Sequence, residues 1–577
     1  MKKFNIMLSL MLFSVLSLGL AQSAADTYVY MTFGEIDTLD PAEAYDTSSG
    51  TVLENIYETL YAYAGDSITE YMPSLATDYT VSSDGLTYTY TLREGVTFHS
   101  GNPMSCKDVE YSIERALVTN APGSGVWFLA EALTGTDANA NDDESITFAM
   151  IDDAVTCPDG DDGLTVEFNL PAVDPAFFVK LMYTNASVVD MMWAVENGMW
   201  DGSEDTWRDW VGVDLREYYM HSHMSGTGAY ALVEWDGENV VAEAYDGYWG
   251  DAPAIQNILL QGVDEESTRI LALQQGDADR IDVNTWGTLE AQIRGLAGVT
   301  IHEDPSWTSL SVGALHMNQD VVTADNQANV GSGEWGDGIP ANFFADENVR
   351  AGFAYSFDQE QFLEQLYLGK GVILTMALPP SFLGYDPDVP VYEFDPERAE
   401  EAFRAAFDGQ LWEEGFEITL SYNTGNTVRQ TITEILKQNI EALNSDFIVN
   451  VRGIQWPDFL ADRQDGKLPL SIVGWAPDYA DPDNYMYTFY HSNGFYGGLL
   501  NYQNEEIDSL LEQARATTDA AERELLYNTV ASLAYEDVPF VTYPTRQAFV
   551  VARDNVEGIY YNPMLSHQFL WKEISKN

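Results

Sequence analysis

Asp478 stands three residues after Trp475 and directly before Tyr479, in the run Gly474–Tyr485 that reads GWAPDYADPDNY. A carboxylate between aromatic faces suits recognition. It can pair with a cationic amine or accept hydroxyls, while the rings supply stacking and packing area. Pro477 and Pro482 fix φ and remove two backbone donors, so the run predicts a sharp, rigid loop and not a helix. A surface turn holding one buried Trp is the plainer alternative for the same residues.

Residues able to break bonds are sparse. The chain has seven His; His221-x-His223 is isolated, and neither Gly-x-Ser-x-Gly nor His-Glu-x-x-His occurs. His99 reads as a structural loop residue. Asp137, Asn139 and Asn141 imitate the start of an EF-hand loop, but position six lacks Gly and position twelve is Phe148. Gly226-Thr227-Gly228 has no Walker lysine and makes no phosphate cradle. Trp193, Trp200, Trp207 and Trp210, near Glu196 and Asp201, offer either a sugar-stacking surface or packing of a variable loop. No catalytic residue, metal ligand or cofactor is expected.

The elements that must position Asp478 alternate in kind. Leu470, Ile472 and Val473 form a short apolar strand leading into the loop. Before it, Glu417–Tyr422 reads as a strand, Thr431–Leu443 as a helix and Phe447–Val451 as a strand; after it come helices over Glu505–Ala516 and Ala520–Ala534, then a strand over Phe540–Tyr543. Such alternation implies helices layered on a mixed sheet. Upstream, Thr27–Phe33, Leu86–Leu92 and Leu164–Leu170 read as strands. Val52–Tyr63 and Asn348–Leu368 read as amphipathic helices.

Length and charge set the frame. A chain of 577 residues holds two or three domains. Lys plus Arg number 26 against 92 Asp plus Glu, a formal charge of -66. That field repels nucleic acid and anionic lipid. The acids are spread along the chain, which reads as a solvated shell suited to a saline habitat. Lys2 and Lys3, an apolar run from Ile6 to Leu20 and small residues at Ala21–Ala24 form a secretory signal. The run, at about 15 residues, is short for a membrane span. Cleavage after Ala21 or Ser23 would leave no Cys for a lipid anchor, so a soluble extracytoplasmic or periplasmic protein is expected. In such an oxidising compartment Cys106 and Cys157 are expected to pair; two buried thiols are the alternative.

The loop is not alone. Gly-Trp-x-x-Asp-Tyr-x-[Asp/Glu]-Pro at 474–482 resembles the ligand-site loop of the peptide- and nickel-binding family of ABC-transporter solute-binding proteins. So do Leu-Arg-x-Gly-Val-x-Phe-His-x-Gly-x-Pro at 92–103 with Asp-Val-x-Tyr-Ser at 108–112, and Asp174-Pro175-Ala176-Phe177-Phe178. Gly-Thr-Gly-x-Tyr at 226–230, Tyr-Trp-Gly-x-x-Pro at 248–253, and Asn-Val-Arg with Ala-Tyr-Ser-Phe-Asp at 348–358 follow in the same order. The resemblance spans nearly all of the chain after the signal.

It implies an α/β, periplasmic-binding-protein-like two-lobed fold (type II, cluster C), with mixed sheets flanked by helices and an extra subdomain in the first lobe. The expected division is signal 1–23, first lobe 24–72, subdomain 73–225, first lobe again 226–310, second lobe 311–544 and a return to the first lobe over 545–577. It also implies a monomer that passes ligand to an ABC permease with its ATPase subunits. Asp478 would pair with a peptide's α-ammonium and Trp475 would shape the pocket, with Tyr479 beside them. Trp456 stands 19 residues before Trp475, as in oligopeptide binders. Tyr45, Trp127, Tyr422 and Asn423 complete the candidate contacts. Dipeptide binders carry an Arg where Leu420 stands, and oligopeptide binders a basic residue where Ile472 stands. The carboxylate clamp is therefore missing or moved, with Arg463 the candidate, which favours a longer peptide or a non-peptide ligand. An oligosaccharide is the alternative within the family, and a secreted hydrolase the rival outside it.

Overall fold

The computed structural model of the chain describes residues 25–517 and 519–577. The secretory signal expected over 1–23 lies outside the described residues. Three main sheets organise the chain into two lobes. The first-lobe sheet runs in the order Val299–Thr308, Thr545–Arg553, Arg280–Ile281, Thr27–Thr32, Asn257–Gly262, Asn239–Ala244, Tyr230–Trp235, with Gly371–Val372 added beside Thr545–Arg553. Thr27–Thr32 runs parallel to both its neighbours, and the other pairs are antiparallel, so the sheet is mixed. A four-stranded antiparallel sheet (Ala76–Val81, Thr87–Leu92, Thr165–Asn169, Val155–Thr156) forms the core of the added subdomain.

The second-lobe sheet has the order Phe447–Ile454, Phe416–Asn423, Leu470–Trp475, Val312–Met317, Phe540–Tyr543. Phe416–Asn423 lies parallel to both neighbours and is buried almost throughout. FEITLSYN alternates apolar and polar residues, yet Thr419, Ser421 and Asn423 are buried as well as Phe416, Ile418 and Leu420, because neighbours cover both faces of this central strand. Against it lies the helix Thr427–Glu441, whose Val428, Ile432, Leu436 and Ile440 repeat every fourth residue and are all buried. Each such side chain contributes about 1.5–3 kcal/mol by leaving water.

Besides Gly371–Val372, which reaches the first-lobe sheet from within the second lobe, the chain crosses between the lobes at two short connections, from Thr308 to Val312 and from Tyr543 to Thr545. Both crossings lie at strand ends, where few dihedrals must change for one lobe to turn on the other.

Two expected helices and one expected loop differ. The helix expected over Val52–Tyr63 runs instead over Thr47–Ile56, capped by Asp46, whose side chain accepts from the Ser48 and Ser49 amides at 2.9 and 3.0 Å. Tyr57 is extended, and Tyr61–Tyr63 pairs as a strand with Tyr71–Pro73. Asn348–Leu368 is two helices, Glu347–Ser356 and Gln359–Leu366, because Phe357 is extended and Asp358 caps the second. The loop after Trp475 is shorter than expected, since Asp483–Tyr490 is helical. Pro482 stands just before it, where the missing N–H costs nothing.

Cys106, the first residue of the helix Cys106–Thr119, is disulfide-bonded to Cys157. Trp200 and Trp207 are buried around Phe148, with Tyr111 stacked on Trp200, so these tryptophans serve as core. Gly226 and Gly228 lie against the Ile56 carbonyl, and a Cβ at Gly226 would collide with it. The motif thus closes the helix end onto the next strand. His99 locks the same corner, accepting from the Gly226 amide at 3.2 Å and meeting the Gly228 carbonyl at 3.0 Å. Among the described residues no group of three or more His, Cys, Asp or Glu is placed to hold a metal, and Asn139 spends its oxygen on the Asn141 amide.

Candidate functional site

The strand Leu470–Trp475 delivers Gly474 and Trp475 to the edge of the space between the lobes, and the helix starting at Asp483 returns Asn484 beneath them. The Asn484 amide fixes the intervening loop. Its oxygen accepts from the Trp475 indole at 2.9 Å and the Asp478 backbone at 3.0 Å; its nitrogen donates to Asp478 Oδ2 at 2.9 Å. The carboxylate direction is therefore set by the loop's own sequence.

The other partners of Asp478 come from the first lobe. The Tyr45 hydroxyl donates to Oδ2 at 2.8 Å, and the Trp127 indole donates to that hydroxyl at 2.9 Å. Tyr183, from the same lobe, stands close enough to the carboxylate to favour its ionised form. Asp478 is only 3% exposed. Burial pushes its carboxyl up to about 7, although Asn484, Tyr45 and Tyr183 all favour the ionised form. A carboxylate this poorly hydrated gains most from a cation brought to it.

Two adjoining cavities surround the site. One, of 440 Å³, is walled by Tyr45, Tyr183 and Arg216 of the first lobe and by Trp456, Arg463, Trp475 and Asp478 of the second. The other, of 380 Å³, runs between Thr32–Glu35 and Gly474–Pro477 and also meets Arg429 and Arg546. Thr47, Tyr183, Arg429, Trp456, Gly474 and Ala476 border both. Each volume lies within the range of small-molecule sites, and each is bounded by residues of both lobes.

The candidate residues divide. Asp478, Trp475, Trp456, Arg463, Tyr45 and Asn423 line one cavity or both. Trp127 sits behind Tyr45, stacked on Tyr487 with centroids 6.3 Å apart. Tyr479 faces away, donating to Asp483 at 3.1 Å with Lys180 over its ring at 5.2 Å. Tyr422 borders neither cavity. Trp456 reaches the first lobe through its backbone N–H, which donates to Glu35. A further contact between the lobes is Arg515, paired with Glu131 at 2.6 Å and with Asp483 at 3.0 Å.

Sequence reasoning missed Tyr183, Asn484, Arg429 and Arg546. Arg429 carried a signal: it is a cation in the first turn of a helix, where the helix dipole disfavours positive charge. Such a placement asks for a local reason.

Residues 70–497 match the model of the bacterial extracellular solute-binding proteins, family 5. The chain belongs to that family. It is 24% identical to the dipeptide-binding protein of Escherichia coli K12, over 96% of this chain and 96% of the relative. It is 23% identical to heme-binding protein A of Haemophilus influenzae, over 94% and 91% respectively. The structure of the Escherichia coli murein tripeptide binding protein MppA superposes with a TM-score of 0.77 at 20% identity, covering 95% of this chain and 98% of that one. The two-lobed fold is thus common to chains that share about a fifth of their residues with this one. Among the described residues no helix is long and apolar enough to cross a membrane.

Proposed function

We propose that this protein is the extracytoplasmic receptor of an ABC importer, acting as a monomer. It holds a peptide longer than a dipeptide between its closing lobes and delivers it to a permease with its ATPase subunits. The observation that carries this reading is Asp478. It is a buried carboxylate on the cavity wall, held by one lobe and contacted by the other, with its charge left without a cation. An α-ammonium supplies that cation and adds charge-assisted hydrogen bonds. Two joined cavities support a ligand with several residues, and the names of relatives that bind di- and tripeptides support the class. The crossings near residues 310 and 544 serve as the hinge.

Native mass spectrometry of the purified protein should reveal a co-purified peptide. Calorimetry with a peptide and its N-acetylated twin then tests the amine. The free amine should bind and the acetylated form should not. Equal affinity for both would remove the ammonium role from Asp478 and favour an oligosaccharide.

A further inference from the structure

Seven of the 17 arginines find a carboxylate among the described residues. Arg115, Arg216, Arg515 and Arg523 all do. Four arginines on the cavity walls do not; of these Arg280 spends its terminal nitrogens on His567 and Gln568, which leaves three. Arg429 donates from Nη1 to the Asn423 amide oxygen at 2.8 Å, while its Nε is buried without a partner. Arg463, 8% exposed, lies over the Tyr496 ring at 4.9 Å. Arg546 gives Nη1 to the Val283 and Asn284 carbonyls, both at 3.2 Å, and rests against Phe549 at 4.9 Å. None of the three pairs with a carboxylate among the described residues.

They form a row with Arg429 in the middle. Arg429 and Arg463 share the larger cavity, and Arg429 and Arg546 the smaller. The Tyr496 hydroxyl feels Arg463 and Arg429, and the Tyr367 hydroxyl feels Arg546 and Arg429. Arg429 also reaches the strand that leads to Asp478: its Nη2 lies 3.9 Å from where a Cβ on Gly474 would stand. Three like charges in a partly dry space repel one another, and removing them from water costs several kcal/mol per ion unless counter-charge is present. A single carboxylate matches one guanidinium fork in bidentate fashion and leaves two cations uncompensated.

Resting on the peptide reading above, we propose that Arg463, Arg429 and Arg546 form an anion subsite for a ligand end bearing two negative groups, namely a peptide whose last residue is aspartate or glutamate. Asp478 takes the amine and the arginine row takes the acidic end, so the two ends of the ligand are told apart by charge. The net charge of -66 opposes such a ligand at long range. Salt at 0.15 M screens that field within about 8 Å and leaves local contacts to decide.

Calorimetry at 0.15 M salt with Ala-Ala-Glu and Ala-Ala-Ala-Ala-Glu, each against its Gln counterpart, tests the subsite. The Glu peptide of at least one length should bind about tenfold or more tightly than its neutral twin, as expected for a desolvated charge pair. Arg546→Gln, with its fold checked by circular dichroism, should erase most of that ratio. Gln peptides that bind as well as Glu peptides overturn the acidic preference while leaving the peptide reading intact. A ratio unchanged in Arg546→Gln overturns the assignment to this row. Failure of every peptide to bind overturns the peptide reading and this inference together.

Discussion

The Tyr45 hydroxyl and Asp478 Oδ2 meet at 2.8 Å across 433 residues of sequence and across the gap between the lobes. The contact gives a buried carboxylate a donor in the closed form, and it must break for the lobes to part. Tyr45→Phe leaves the ring packing on Trp475 and Phe495 but removes the donor. Depriving a buried acceptor of its partner costs about 1–3 kcal/mol. The ligand-free variant should therefore sample more open forms, seen as a larger radius of gyration by small-angle scattering. Identical curves for variant and wild type would dismiss the latch.

Asp478 also predicts proton release. With its carboxyl pushed up to about 7 in the empty closed form, it holds a proton at pH 6 and loses it when an ammonium pairs with it. At pH 8 the group is already ionised and nothing is released. Calorimetry of peptide binding in two buffers of different ionisation heat should report close to one proton released at pH 6 and close to none at pH 8. Asp478→Asn should abolish the difference and weaken binding by about 2–5 kcal/mol, as when one partner of a buried charged pair is removed.

Other buried carboxyls set the response of stability to pH. Burial raises Glu43 to about 7, Asp108 to about 6 and Glu114 to about 8. All three lie above the ordinary value near 4 that an unfolded chain shows. Their contribution is fully present below about pH 4 and is lost as pH climbs through 6 to 8. Scanning calorimetry of the ligand-free protein should give a higher Tm at pH 5 than at pH 8. A Tm that rises over that interval contradicts the account.

The Cys106–Cys157 bridge closes a loop with a sequence separation of 51. Chain entropy puts its contribution at about 4 kcal/mol. The double substitution Cys106→Ser, Cys157→Ser should lower the denaturant midpoint and, by releasing the unfolded chain, steepen the slope. An unchanged midpoint would show that the subdomain holds its form without the link.

Arg515 joins Glu131 of the first lobe to Asp483 of the second, and its guanidinium sits 4.0 Å from the Tyr487 ring centroid. Its side chain is 20% exposed. Arg515→Ala should destabilise closure by an amount between the ~1 kcal/mol of an exposed pair and the ~3–5 kcal/mol of a buried one. Weaker ligand affinity with unchanged unfolding of the separate lobes is the expected pattern. Unaltered affinity would assign the pair to stability alone.

The Gly474–Pro482 loop was legible because turn chemistry is local: two prolines, a Trp and an Asp at fixed offsets constrain one another within nine residues. The second-lobe strands and helices were legible through period and burial, and the tryptophan cluster through its core alternative. Tyr45 was named as a contact, but its hydrogen bond to Asp478 was not, since no spacing links partners so far apart. Tyr183 and Asn484 escaped for related reasons. Tyr183 lies on an irregular connection, and Asn484 looks like an ordinary helix-start residue until its amide is seen between Trp475 and Asp478. The break at Phe357 was hidden because both helices keep the same apolar face. The arginine row was invisible as a row, since its members sit on separate elements and meet only after folding.

The first-lobe sheet takes strands from Thr27–Thr32 at one end of the chain and Thr545–Arg553 near the other, whereas the second-lobe sheet draws only on Val312–Tyr543. A ribosome therefore releases every strand of the second lobe before the last strand of the first. Long-range pairing is slow even once its partners exist, because loop closure precedes any gain. The usual order, in which the amino-terminal unit folds first during synthesis, is reversed here. Until Arg553 emerges, Val299–Thr308 and Arg280–Ile281 lack the strand that lies between them, and the first-lobe sheet stays incomplete.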